Sequence, residues 1–169
     1  VYLIACILFS PWLVYRLCTA GRRDFAMRFG VGLRDSLASC IWLHGSSAGE
    51  VAVLGPLVGM LVPHPPGTPL VISAFTATGL ATARKLYARH RVVPLPVDLS
   101  FVVARYLRAL DPRLLVIAES EFWPNLIGCA RARGVPVALV NGKMSAKSFR
   151  LHERTHLASS VLASFAVLA

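Results

Sequence analysis

The residues of this chain that can do chemistry gather in short polar runs, each following an apolar stretch. The most informative run spans 42–51, where Trp42 and Leu43 lead through His44, Gly45, Ser46, Ser47, Ala48 and Gly49 to Glu50 and Val51. An apolar strand end, a loop of small residues and a helix start is the arrangement by which open α/β sheets build binding sites. A carboxylate at the mouth of such a loop can take a proton from a hydroxyl within hydrogen-bond reach. The positive end of the helix also helps keep it ionised. Glu50 is therefore a candidate general base, and a glutamate placed only by the helix dipole is the competing reading.

Four more polar runs follow apolar segments: Ser73 to Gly79, Pro96 to Asp98, Glu119 to Asn125 and Asn141 to Ser148. Ser46, Ser47, Thr76 and Thr78, beside Gly45, Gly49 and Gly79, can offer hydroxyls and backbone N–H groups to sugar or phosphate oxygens. Plain helix caps are the alternative for them. Glu119 and Glu121 flank Ser120, and strand alternation would point both carboxylates the same way. They can hold a basic side chain, orient the Glu50 loop, contact hydroxyls or form a structural ion pair. Lys143, Arg150 and the N-terminal arginines suit phosphates. His44 reads as a satisfied structural histidine. His152 and His156 have metal-compatible spacing but no matching partner, so no metal site is expected. No Ser-His-Asp order, P-loop or dinucleotide fingerprint is present.

These runs need elements to position them. Short apolar segments at 39–43, 70–73, 92–96, 114–118 and 135–140 read as strands. Between them, 49–61, 78–87, 99–110 and 125–133 read as helices, with Asp98 as N-cap of the third. Residues 149–168 would form a final helix. Five strands alternating with helices predict an α/β fold: a Rossmann-like parallel sheet with helices on both faces. In such sheets the chemistry lies at the carboxyl ends of the strands, where all five polar runs fall.

The remaining features set the surroundings. The chain has 169 residues, a net charge of +10 and 56% hydrophobic residues. Basic and apolar together suggest a membrane surface or an anionic lipid-like ligand. No nucleic-acid partner is expected, because the arginines are scattered and no recognition motif stands out. Residues 1–15 are apolar except Ser10, and Arg16, Arg22, Arg23, Arg28 and Arg34 follow. This predicts a truncated membrane-anchor segment over 1–20 and a basic interfacial linker over 21–38, on the cytoplasmic side. The buried first helix of a soluble domain is the alternative. The Rossmann-like domain would occupy 39–169. The four cysteines (Cys6, Cys18, Cys40 and Cys129) show no paired spacing and read as reduced thiols.

Taken together, five blocks resemble the N-terminal domain of the 3-deoxy-D-manno-octulosonic acid (Kdo) transferases. They are 42–51, 73–79, Pro94 to Asp98, Glu119 to Asn125, and Asn141 to Ser145 with Ser148. The resemblance covers essentially the whole chain. It implies the N-terminal half of a GT-B glycosyltransferase, an inverting, metal-independent enzyme without cofactor. This half would bind the lipid A precursor, and an absent C-terminal domain would hold CMP-Kdo as donor. The setting would be lipopolysaccharide synthesis at the cytoplasmic face of the inner membrane of a Gram-negative bacterium. The family's catalytic glutamate matches Glu50. Ser46, Ser47, Gly49, Thr76, Thr78, Gly79, Glu119, Glu121, Asn141, Lys143 and Ser145 would line the substrate site. A non-catalytic lipid- or phosphosugar-binding module of the same fold, or another GT-B enzyme acting on a lipid, are the rivals.

Overall fold

Strand segments that are apolar on both faces can be buried only in a sheet covered on both sides. A computed structural model, describing residues 21–33, 39–61, 67–119, 123–142 and 167–168, has this architecture. Its elements are α1 (Arg22–Arg28), β1 (Cys40–His44), α2 (Ala48–Val53), α3 (Gly55–Leu61), β2 (Leu70–Ala74), α4 (Ala77–Leu86), β3 (Arg91–Pro94), α5 (Ser100–Leu110), β4 (Pro112–Ala118), α6 (Pro124–Ala132), β5 (Val137–Val140) and β6 (Val167–Leu168). The sheet order is β3-β2-β1-β4-β5-β6, and every pairing is parallel. This is the order of the doubly wound nucleotide-binding sheets, whose switch point lies between β1 and β4.

Strand alternation divides the core in two. Trp42, Val71, Leu115, Ile117, Val137 and Leu139 face α5 and α6, packing on Val102, Tyr106, Leu110, Leu126 and Ile127. Ile41, Leu43, Ile72, Val116 and Ala138 face the other way, against Val51, Leu54 and Val58 of the α2–α3 segment and Leu80 and Ala83 of α4. The α/β sheet with helices on both faces is thus as the sequence predicts.

Several boundaries differ, each for a local reason. The single helix expected over 49–61 is two, broken at Leu54. Pro56 cannot donate a backbone hydrogen bond and its ring crowds the preceding turn, but it is tolerated at the start of a new helix. Pro94 ends β3, an edge strand, where a missing ladder donor does little harm. Asp111 closes α5 in the left-handed region at φ 43°, letting β4 begin at Pro112, earlier than expected. Val167 and Leu168 pair in parallel with Ala138 and Leu139, so the end of the expected final helix is a strand, while 143–166 lie outside the described residues. The anchor expected over 1–20 also lies outside them. Among the described residues no helix is long and apolar enough to cross a membrane.

Asp98 serves a different helix from the one expected. α5 starts after Leu99 without a side-chain cap. The Asp98 carboxylate instead accepts the N–H groups of Asn125 (3.1 Å) and Leu126 (2.8 Å) at the start of α6, and its carbonyl accepts Asn125 Nδ2 at 2.7 Å. A carboxylate here meets both the orphan donors and the positive end of α6. Asp98→Ala should therefore lower stability by about 1–2 kcal/mol, read from the urea-unfolding midpoint. An unchanged midpoint would show that this cap contributes nothing.

Candidate active site

At the carboxyl end of β1, the chain turns through Gly45 into a loop that is locked to the loop after β2. The Ser46 carbonyl accepts three hydrogen bonds, from Phe75 N–H (3.2 Å), Thr76 N–H (2.9 Å) and Thr76 Oγ1 (3.0 Å). Gly45 N–H donates to Ser73 O at 3.1 Å. Two glycines permit this approach. A Cβ at Gly79 would lie 2.8 Å from Ser46 O, and one at Gly45 would lie 2.9 Å from the backbone of Glu50 and Val51. Neither contact is with a side chain that could swing away.

The loop leads directly into α2. Ser47 is its N-cap, its Oγ accepting Glu50 N–H at 3.3 Å, and the Glu50 Oε2 accepts Ser46 N–H at 2.8 Å. This reciprocal pairing is close to a capping box, displaced by one residue from the usual partner. It leaves the Glu50 side chain partly exposed at the strand end, with one carboxylate oxygen held by the backbone. Thr76 caps α4 in the same way through Gly79 N–H (3.0 Å), and Thr78 Oγ1 lies 3.2 Å from Thr76 Oγ1. Ser46, Ser47, Gly49, Glu50, Thr76, Thr78 and Gly79 therefore share one pair of adjoining loops. Ser46 is buried, whereas Gly49 and Thr78 are exposed.

Beneath the loops lies a buried polar group, the satisfied histidine that the sequence predicts. His44 is fully buried, with Nδ1 2.9 Å from Ser73 Oγ and 3.2 Å from Ser73 O, and Nε2 3.2 Å from Ser46 Oγ. Trp42 Nε1 donates to the same Ser73 Oγ at 2.8 Å. Burial, aided by the charge of Arg28 and only partly opposed by the Ser73 backbone, pushes the His44 pKa down to about 3.

Within the segment expected to be a basic interfacial linker, Arg28 faces inward. Arg22 and Arg23 are exposed, but Arg28 is 1% exposed. Its guanidinium donates to the carbonyls of Leu95 (3.1 Å) and Phe75, and lies 5.1 Å from the Phe75 ring centroid. Burial lowers its pKa, with the Tyr106 hydroxyl and Asp24 acting the other way. Arg28 thus pins α1 to the carboxyl ends of β2 and β3. Arg84 ties the same helix to α4 through Asp24 at 2.6 and 3.0 Å. Trp123 also packs against Phe75 at 5.3 Å and meets the His44 ring edge-on at 6.4 Å. No sequence pattern separates Arg28 from its exposed neighbours. Its neighbour Met27, which packs into the core, was the one available hint.

Glu119 and Asn141 end the adjoining strands β4 and β5, both in the left-handed region at φ 61° and 53°. Glu119 N–H donates to Val140 O at 2.9 Å, and Asn141 Nδ2 to Glu119 Oε1 at 3.4 Å. The left-handed turn at Glu119 ends the strand alternation used to place Glu119 and Glu121 on one side. Glu121, Lys143 and Ser145 lie outside the described residues. Topology sets the Glu50 loop and Glu119 at the ends of neighbouring strands, across the switch point.

The depressed pKa of His44 fixes a pH dependence. An unfolded chain protonates this imidazole below its ordinary value of 6.5, while the native state keeps it neutral down to about 3. The unfolded state then binds the extra proton, so stability falls as pH falls below 6.5. Relative to His44→Asn, the native protein should lose about 2 kcal/mol more between pH 7 and pH 5, measured by urea unfolding. Parallel curves would show that His44 titrates alike in both states.

Comparison with known proteins agrees with the resemblance drawn from the polar runs. The family model described as 3-deoxy-D-manno-octulosonic-acid transferase (kdotransferase) matches residues 23–169. A 3-deoxy-D-manno-octulosonic acid transferase of Bordetella pertussis is 36% identical over 129 residues, covering 73% of this chain and 30% of the relative. That of Chlamydophila psittaci is 32% identical over 144 residues, 82% of this chain and 33% of the relative. A bifunctional glycosyltransferase/methyltransferase of Fusobacterium nucleatum is 31% identical over 154 residues, 89% of this chain and 23% of the relative. The chain thus spans at most about a third of the length of these relatives. Since the family model takes in all five site loops, the chain belongs to the 3-deoxy-D-manno-octulosonic-acid transferase family.

Proposed function

We propose that this chain is the acceptor-binding half of a GT-B glycosyltransferase that moves Kdo from CMP-Kdo to a lipid A precursor. A C-terminal domain beyond this chain would bind the donor across a cleft that the carboxyl ends of β1, β2, β4 and β5 face. Glu50 would take the proton of the acceptor hydroxyl as its oxygen attacks the anomeric carbon. The bond to CMP breaks as the new glycosidic bond forms, the leaving phosphate carries the electron pair, and displacement from the opposite side inverts that carbon.

One observation carries this reading. Glu50 stands at the switch point of the sheet with its Oε2 tethered to Ser46 N–H, which leaves the other oxygen without a hydrogen bond among the described residues. A tethered carboxylate is already oriented before substrate arrives. The hydroxyls of Ser47, Thr76 and Thr78, with Glu119 and Asn141, are the groups offered to acceptor oxygens. Lys143, Ser145 and Glu121 are proposed for the same site from the family resemblance.

The inner membrane's cytoplasmic surface is the proposed location, in keeping with an acceptor whose tails stay in lipid. Support comes from Phe25, Phe29 and Val31 at α1, with Leu99 and Phe101 at the start of α5, all exposed. The two groups adjoin, since the Tyr106 hydroxyl of α5 donates to Met27 O at 2.7 Å and Gly30 packs on the Arg105 side chain. Arg22 and Arg23 lie on α1 and Arg105 on α5, and apolar groups with cations on the same helices suit an anionic bilayer.

Glu50→Gln in the full-length protein, assayed in membranes with CMP-Kdo and lipid A precursor, should lower kcat on the order of 10²–10⁴-fold with acceptor binding retained. Near-normal turnover would reduce Glu50 to a helix cap and move the search for the base to Glu119 or Glu121, whereas no transfer by the native protein would favour the binding module.

A further inference from the structure

The polar group beneath the Glu50 loop does more than fill the core. Trp42 Nε1–H can only donate, so Ser73 Oγ accepts it at 2.8 Å. Ser73 O can only accept, so the His44 Nδ1 beside it, at 3.2 Å, is assigned the ring proton. Nε2 then accepts the Ser46 hydroxyl at 3.2 Å. The same residue, Ser46, gives its N–H to Glu50 at 2.8 Å and takes three donors on its carbonyl. Its peptide is gripped on the nitrogen, on the oxygen and through its side chain. Burial keeps the imidazole neutral well below neutral pH, so one ring nitrogen stays an acceptor there.

We propose that His44, held by Ser73, is a positioning residue of this site. It fixes the Ser46 hydroxyl, and through the Ser46 peptide it fixes the direction of the Glu50 carboxylate. The proposal rests on Glu50 acting as base. An apolar residue of similar size would pack at the end of β1 without needing partners for two buried nitrogens. The polar chain Trp42–Ser73–His44–Ser46–Glu50 gives the imidazole a task that such a residue could not perform.

A double-mutant cycle in the full-length protein separates positioning from general support of the fold. His44→Asn keeps an amide near Nδ1 but cannot reach Ser46, whereas His44→Gln places its amide near Nε2. With CMP-Kdo and lipid A precursor in membranes, His44→Asn should lower kcat about tenfold with acceptor KM within about twofold, the size of one lost hydrogen bond. His44→Gln should recover most of that loss. In a Glu50→Gln background, His44→Asn should cost nothing further, because no base remains to be positioned. Should His44→Asn fail to fold, Ser46→Ala, which removes only the hydroxyl, carries the same expectation.

Equal losses in both backgrounds, or a His44→Asn variant as fast as the native protein, would overturn the positioning role and leave Glu50 as base. A Glu50→Gln variant of near-normal rate would overturn the base itself, and the positioning role with it.

Discussion

The Ser46 carbonyl accepts three donors from the loop after β2, while the N–H of the same residue holds the Glu50 carboxylate. Both loops depend on this residue. Without the three donors, the turn after β1 would be a surface loop free to choose its own path. With them, the entry to α2 is set relative to the entry to α4, and both helices present their first turns at the same sheet edge. The two short capping hydroxyls, of Ser47 and Thr76, then complete helix starts whose positions the carbonyl has already decided. The close backbone approach explains why Gly79 and Gly45 are glycines, although neither has a positive φ.

A second constraint comes from burial of charge and dipole beside that lock. Arg28 sits inside the protein on backbone carbonyls of Phe75 and Leu95, which are available because they extend past the ends of β2 and β3. Its Nε has no hydrogen-bond partner among the described residues, nor does Trp123 Nε1, and unsatisfied buried donors are costly. Removing a guanidinium from water is costlier still unless the geometry returns something. What it returns is the attachment of α1 across the sheet edge, with the Phe75 ring against both the cation and Trp123. The aromatic packing in turn closes over His44, whose neutral state depends on exclusion of water.

The sequence made the layered architecture legible because the strands are mostly apolar on both faces and their ends are polar. The two physical requirements, burial on both faces and chemistry at the carboxyl edge, leave that alternation visible. It could not show the order of the strands, since parallel pairing depends on crossover paths and not on local composition. Nor could it show that Asp98 caps α6 across 27 residues, because a capping side chain reads as local until the fold brings another helix to it. The break at Leu54 was signalled by Pro56 but masked by a continuous apolar stripe. The left-handed turn at Glu119 had no signal, because that conformation is unusual for a glutamate. At the end of β1, the helix start carrying Glu50 was legible from its loop. His44 was visible but its partners Ser73 and Trp42 lie on strand faces whose neighbours only the sheet register defines.

The central claim is that the tethered Glu50 carboxylate faces an acceptor hydroxyl across the switch point. A crystal structure of the full-length protein with the lipid A precursor bound would test it most directly. The account predicts an acceptor hydroxyl within about 2.6–3.2 Å of the Glu50 oxygen not held by Ser46, with the Ser46 tether intact. An acceptor hydroxyl seated on another side chain, with Glu50 turned back into its own helix start, would contradict it.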